Sequence, residues 1–113
     1  MAYNESLANR VRESLSHVRK VQEKKMIGGL TFMVNDKMCV GIVKDELMIR
    51  IDPAVYEESL TKLGCHKMEF TGRALKGFVL IGEEGIRTKK GLQYWVELAL
   101  SFNKKAKSSK KKR

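Results

Sequence analysis

Four side chains in this sequence could carry metal-binding or nucleophilic chemistry: His17, Cys39, Cys65 and His66. Structural zinc sites use paired spacings such as C-x-x-C and H-x₃₋₅-H, and the sequence has neither. Adjacent residues rarely direct their side chains at each other, so Cys65 and His66 lack the geometry of a nucleophile pair. We therefore predict no metal and no cofactor. We interpret Cys39 as a small buried residue of a strand and His66 as a loop residue.

Five acidic residues are candidates for general acid–base catalysis: Asp45, Glu46, Asp52, Glu83 and Glu84. All of them occur at predicted turns or at a helix start, where capping and solvation explain an acid. No histidine lies near them in the sequence. The sequence thus predicts no catalytic residue and a protein that is not an enzyme.

The last ten residues, KKAKSSKKKR, are the strongest charge feature. They hold seven of the 23 Lys and Arg residues and no acid, so 16 basic residues face 13 acidic ones before them. The net charge of +10 therefore falls to about +3 for the first 103 residues. Because like charges repel and bury no apolar area, we expect a domain over residues 1–103 and a disordered tail over 104–113.

Lys and Arg displace counterions from nucleic-acid phosphates, which gives a salt-sensitive attraction that is independent of base sequence. The candidate nucleic-acid-binding residues are therefore the seven cations of the tail: Lys104, Lys105, Lys107, Lys110, Lys111, Lys112 and Arg113. The same charges would attract anionic membrane surfaces or acidic proteins. A tail that only increases solubility is the alternative.

The remaining composition limits the class of protein. No apolar run approaches the ~20 residues that cross a bilayer, and the first ten residues contain no apolar signal segment. Two cysteines do not make a disulfide framework. We expect a cytoplasmic protein with no membrane insertion.

The most apolar stretch, residues 26–53, predicts a meander of three strands over about 29–34, 38–43 and 47–51. Turns at Asn35-Asp36 and Lys44-Asp45 separate them. A two-residue first turn would pair Phe32 with Cys39, whereas a three-residue turn would pair Phe32 with Val40, and the sequence leaves both open. In either register the second face of the sheet stays more apolar than a solvent-facing surface needs.

Helices are predicted around this meander. Apolar spacing predicts one from residue 5 to about 22 with Asn4 as its N-cap, and Asp52-Pro53 begins a second that ends at Gly64. Strands over about 67–70 and 76–81 follow, and Thr88 caps a last helix over about 89–103. The order α-β-β-β-α-β-β-α indicates a two-layer α+β domain with an antiparallel sheet and helices mainly on one face.

The glycine pair, the aromatic pair and the methionines of this sequence can each be explained by a structural role. Gly28 and Gly29 do not fit a phosphate-binding loop, because no strand precedes them and no helix follows, so we interpret them as a turn or a close backbone contact. Trp95 is interpreted as a core anchor of the last helix and Tyr94 as half-buried beside it. The methionines of the meander fit a gap-filling role in the core and an adaptable binding surface equally well.

Four segments, in this order and spacing, resemble the N-terminal domain of TfoX/Sxy proteins: Met26-Ile27-Gly28-Gly29, Val34-Asn35-Asp36-Lys37-Met38, Leu47-Met48-Ile49-Arg50-Ile51-Asp52 and Tyr94-Trp95-Val96-Glu97-Leu98-Ala99. The resemblance runs from roughly residue 24 to residue 103 and implies a two-layer α+β fold with an antiparallel sheet. It is greatest to the short standalone members, and it brings no catalytic residues.

This sequence departs from the family pattern at three places. Ile27 stands where an aromatic residue is usual, Asn35-Asp36 replaces an Asp-Gly turn, and a Lys/Arg tail follows Phe102 where the competence regulators carry a helical domain. The resemblance implies a regulatory or accessory protein, and the charge of the tail indicates nucleic acid as a partner. The alternative is a protein-interaction module that binds a protein partner or a second copy through its sheet.

Overall fold

The computed structural model describes residues 3–26, 29–70 and 72–105. Within these ranges the chain forms four helices and six strands. Their bounds are α1 Glu5–Ser14, β1 Val21–Met26, β2 Gly29–Val34, β3 Lys37–Val43, β4 Glu46–Arg50, α2 Tyr56–Ser59, β5 Cys65–Phe70, β6 Arg73–Ile81, α3 Glu83–Ile86 and α4 Lys89–Asn103. A short 3₁₀ turn, Pro53–Val55, leads into α2, and Asp52 caps it by accepting a hydrogen bond from the amide of Ala54 at 2.9 Å.

The strands form one antiparallel sheet in the order β1-β2-β3-β4-β6-β5. Every neighbouring pair is antiparallel. β6 rather than β5 pairs with β4, so the α2 segment carries the chain from β4 past the position of β6 to the edge strand β5. The sheet and its helices confirm the predicted α+β class. The predicted element order also matches once one strand, β1, and one short helix, α3, are added.

The first predicted helix was too long. α1 ends at Ser14, and Val21–Met26 instead forms the edge strand β1, with Val21 opposite Val34. After the helix has ended, the chain enters β1 at Lys20, whose φ of 57° lies in the left-handed region. The backbone hydrogen bonds offered by β2 outweigh the helical preference of this polar segment, a tertiary effect that apolar spacing does not show.

The β2–β3 hairpin combines both registers that the sequence allows. Asn35 and Asp36 have φ of 54° and 65°, the left-handed pair that a two-residue type I′ turn requires. Val34 therefore lies opposite Lys37. The register then shifts at a bulge, so that Phe32 lies opposite Val40 as a three-residue turn would have placed it. The bulge restores a continuous apolar face after a tight turn.

All four helices contribute to one core on one face of the sheet. Strand residues such as Phe32, Val40 and Ile49 are fully buried there against α1 and α4. Gly29 lies where β2 and β3 approach closely, because a Cβ atom added to it would be 2.0 Å from the carbonyl oxygen of Ile42. A side chain at residue 29 would therefore push the two strands apart.

The second face of the sheet is also closely packed in its centre. Thr31, Met33 and Met48 alternate with the core residues, yet they are 1%, 5% and 1% exposed. The expectation of an apolar second face is thus correct for its central strands. The large exposed apolar side chains of the described residues lie elsewhere, at Leu63 and Tyr94.

Candidate nucleic-acid interface

The basic tail begins directly at the end of α4. Lys104 and Lys105 are exposed and follow the last helical residue, Asn103. The Nζ atom of Lys105 lies 3.5 Å from a carboxylate oxygen of Asp52, although the Lys105 side chain remains 69% exposed. The other five predicted phosphate contacts lie outside the described residues: Lys107, Lys110, Lys111, Lys112 and Arg113.

Asn103 fixes the end of α4 to the β2–β3 hairpin. It is 3% exposed, its Nδ2 donates to the carbonyl oxygen of Val34 at 3.1 Å, and its Oδ1 accepts from Nδ2 of Asn35 at 3.2 Å. The Nζ of Lys37 donates to the Asn103 carbonyl oxygen at 2.9 Å. An amide side chain can donate and accept at once, and the last carbonyls of a helix need partners. We call these four residues, Val34, Asn35, Lys37 and Asn103, the hairpin clamp.

The hairpin clamp gives the first tail residues a defined place on the domain. Because Asn103 is tied to both the turn and the adjacent strand end, Lys104 starts from a fixed point at one end of the sheet. A cation on Lys37 also suits the negative end of the helix dipole. Sequence spacing does not predict this arrangement. An Asn near a helix end and another in a turn carry no signal that they meet across a separation of 68 residues.

The residues that were interpreted as structural lie in different parts of the fold. Trp95 lies in the core with 2% exposure, and Tyr94 is 46% exposed with its ring edge-on to Trp95 at a centroid distance of 4.9 Å. Gly28 lies outside the described residues. Asp52 both caps the 3₁₀ turn and faces Lys105.

The two thiols among the metal-ligand and nucleophile candidates are shielded from solvent to different degrees. Cys39 is buried in the core, and burial raises the pKa of its thiol to about 12. Burial likewise raises the pKa of Cys65 to about 11, so both thiols are neutral at physiological pH. Across the described ranges, no group of three His, Cys, Asp or Glu side chains is arranged to hold a metal ion.

His66 was placed wrongly by the sequence. It lies in strand β5 rather than in a loop, and its Nε2 is 2.8 Å from Oε2 of Glu46. Both side chains are substantially exposed, at 49% and 36%. The pair joins strands β4 and β5 across the end of β6 as a solvent-exposed contact between side chains.

The other acidic candidates hold local structure. Asp45 accepts a hydrogen bond from the side chain of Asn4 at 3.1 Å, while the Asn4 side chain caps α1 by accepting from the amide of Leu7 at 3.0 Å. These contacts confirm Asn4 as the predicted N-cap. The side chains of Glu46 and Glu84 lie near Gly82, with oxygens 3.6 and 3.2 Å from the place a Cβ would take.

Helix length bears on membrane insertion. The longest described helix, α4, has 15 residues. Among the helices of the described chain, none has the length and apolarity that crossing a bilayer needs.

Comparison with known proteins identifies one family. The sequence matches the TfoX N-terminal domain over residues 13–103, most of the 113-residue chain. Searches of curated proteins and of solved structures gave no match. The family match ends at Asn103, the residue of the hairpin clamp that precedes Lys104.

Proposed function

The chain belongs to the TfoX N-terminal domain family, and from that premise we propose that it is a cytoplasmic, non-enzymatic accessory or regulatory protein that binds nucleic acid through its basic tail. The single observation behind the proposal is the concentration of seven cations and no acid in residues 104–113, beginning at a helix end that the hairpin clamp fixes. The folded domain would supply recognition of a partner, and the tail would supply affinity.

The chemistry of the tail supports phosphate as the ligand. Each Lys or Arg that neutralises a phosphate releases a condensed counterion, so affinity comes from entropy and falls steeply as salt is added. Such binding does not read base edges, and it requires no fixed tail conformation. The proposed interface is therefore strong at low ionic strength and insensitive to sequence.

A titration of fluorescein-labelled 20-base-pair DNA tests the proposal. The complete chain should bind at low salt, and a chain ending at Asn103 should bind at least about tenfold more weakly, since several phosphate contacts are lost. A scrambled tail of the same composition is the matched control and should restore binding. Absence of binding by the complete chain, or equal binding by the shortened one, would refute the tail mechanism.

A protein-interaction module is the second candidate, and one surface favours it. Leu63 is 72% exposed beside the half-exposed Tyr94, and together with Lys62 and Glu84 they border an open groove of about 400 Å³ above Trp95. Of the two edge strands, β1 carries Glu23, Lys24 and Lys25, charges that oppose uncontrolled pairing of strand edges.

Sedimentation equilibrium separates this second candidate from the first. Self-association that is lost in Leu63→Asp but kept in a chain ending at Asn103 would favour an interaction module. A monomer at all concentrations that still binds DNA would favour the tail mechanism.

A further inference from the structure

Basic residues of the folded domain gather at the end of the sheet where the tail begins. The backbone carbonyl of Lys20 accepts a hydrogen bond from the amide of Asn35 at 3.2 Å, so Lys20 lies beside the hairpin turn. Lys37 contacts the end of α4 directly. We call the basic residues at this end of the domain the hairpin pole: Arg19, Lys20, Lys37, Lys104 and Lys105. Four of them are exposed, and Lys37 is half-buried.

The hairpin pole and the tail together hold most of the net charge. With residues 106–113 they contain ten of the 23 basic residues. The two acids adjoining the pole are Asp36 in the turn and Asp52 beside Lys105. The rest of the chain has 13 basic and 11 acidic residues, a net charge of only +2. Most of the net charge is therefore carried by the hairpin pole and the segment that follows it in the sequence.

The opposite end of the sheet is electrostatically different. Strand β3 runs away from the hairpin pole and ends at the turn before Asp45 and Glu46, which is about 20 Å away at the usual rise per residue. Glu83 and Glu84 begin α3 at the same end, where Glu84 and Glu46 both approach Gly82. Acids here offset nearby cations such as Lys44 and Arg87. Among the residues that the structure describes, this end has no comparable excess of positive charge.

We propose that the hairpin pole is a second phosphate-contacting surface, so that the domain binds nucleic acid end-on with the tail and the pole on the same duplex. The inference rests on the proposed function and deepens it by naming the part of the folded domain that contacts nucleic acid. Exposed Arg19 and Lys20 precede Lys104 by more than 80 residues in the sequence. Lys20 nevertheless lies beside the hairpin turn, and the hairpin clamp joins that turn to the end of α4, where the tail begins. A duplex held by the tail would then meet a positive surface.

A pair of matched double variants in the complete chain tests the pole. R19Q/K20Q removes two cations of the pole, and K89Q/K90Q removes two exposed cations at the other end of α4, about 20 Å along its axis. Binding of the labelled 20-base-pair duplex should weaken about fivefold at 50 mM salt for R19Q/K20Q, and the slope of log K against log salt should fall in magnitude by about 2, roughly 0.9 for each lost contact. K89Q/K90Q should stay within about twofold of the unchanged chain.

The possible outcomes separate this proposal from the one on which it rests. If both double variants weaken binding equally, or neither does, the pole is refuted while the effect of deleting the tail still supports nucleic-acid binding. If the complete chain does not bind DNA, both proposals fail. Stronger binding to phosphatidylserine vesicles than to DNA would refute the pole as a nucleic-acid surface. Thermal unfolding of each variant checks that the fold is retained.

Discussion

The two ends of α4 are attached to the domain in contrasting ways. At its N-terminal end the contacts are steric: a Cβ atom added to Gly91 would be 2.6 Å from the Gly85 carbonyl oxygen, and one added to Gly85 would be 2.5 Å from the Leu63 carbonyl oxygen. At its C-terminal end the contacts are the polar ones of the hairpin clamp around Asn103. One end requires the absence of side chains, whereas the other requires a particular side chain.

The two ends of α4 differ in how much the residues around them can vary. The N-terminal end has little freedom to vary, because Arg10 also donates to the Ile86 carbonyl oxygen at 2.7 Å and Thr88 caps the helix by accepting from the Gly91 amide at 3.0 Å. The C-terminal end is closed by the clamp, after which the chain continues into residues that the family match does not include. A charged segment can follow this end without disturbing the core.

Gly85→Ala should give the largest effect. Its new methyl group would overlap both the Leu63 carbonyl oxygen and the Ile81 side chain, each at 2.5 Å. Overpacking of this kind lowers the free energy of unfolding by about 2–3 kcal/mol. Gly77→Ala is the matched control, because the nearest atom to its methyl group would be 3.9 Å away. Urea unfolding measures both, and equal stability of the two variants would contradict the steric account.

Asn103→Ala should have the next largest effect. It removes the donor to the buried Val34 carbonyl oxygen and the partner of Asn35, and an unsatisfied buried group lowers the free energy of unfolding by about 1–3 kcal/mol. Gln93→Ala on the exposed side of α4 is the control and should change it by less than about 0.5 kcal/mol. If Asn103→Ala unfolds at the same urea concentration as Gln93→Ala, the clamp does not hold the helix end.

The exposed ion pair between Arg12 and Glu23 should contribute less to stability than the contacts at either end of α4. Arg12 on α1 donates to both carboxylate oxygens of Glu23 on β1, at 2.7 and 2.9 Å. Because both side chains are more than one-third exposed, Arg12→Gln should lower the free energy of unfolding by only about 0.2–1 kcal/mol.

The same pair has a defined pH dependence. The hydrogen bond from Arg12 lowers the pKa of Glu23 below its usual 4.5. The contribution of this ion pair to the free energy of unfolding is therefore complete above about pH 5, and it is lost as the pH falls through the folded-state pKa of Glu23. Unfolding of Arg12→Gln and the unchanged chain should differ at pH 7 and converge at low pH. A difference that grows on acidification would contradict this sign.

Thiol labelling should show the smallest effect, and it measures whether the hairpin clamp limits opening of the fold. Cys65 is half-buried and Cys39 is buried, so maleimide at pH 7.5 should modify Cys65 first, with Cys39 reacting only through opening of the fold. Asn103→Ala should accelerate labelling of Cys39 more than Gln93→Ala does. Peptide mass mapping distinguishes the two sites, and faster labelling of Cys39 in the unchanged chain would refute its burial.

Local chemistry made part of this fold predictable. Asn4, Asp52 and Thr88 were recognisable as caps because capping depends on residues three or fewer positions away. Alternating apolar residues likewise predicted β2, β3 and β4. Strand β1 was missed because its polar residues gain order only by pairing with β2, which the local pattern does not contain.

The candidate site is likewise only partly predictable from the sequence. The cations of the tail are apparent from composition alone, whereas the hairpin clamp depends on Asn35 and Asn103 meeting through the fold. The His66–Glu46 pair likewise joins residues that lie 20 positions apart. Side chains that meet through the sheet are the part that sequence spacing cannot supply.

The salt dependence of DNA binding is the sharpest test of whether residues 104–113 bind nucleic acid. The association constant should be measured for the complete chain and for the chain ending at Asn103 between about 50 and 200 mM salt. The complete chain should show a slope of log K against log salt that is steeper by about 3–6, as expected for up to seven phosphate contacts at roughly 0.9 each. The same slope for both chains would contradict the claim that residues 104–113 bind nucleic acid.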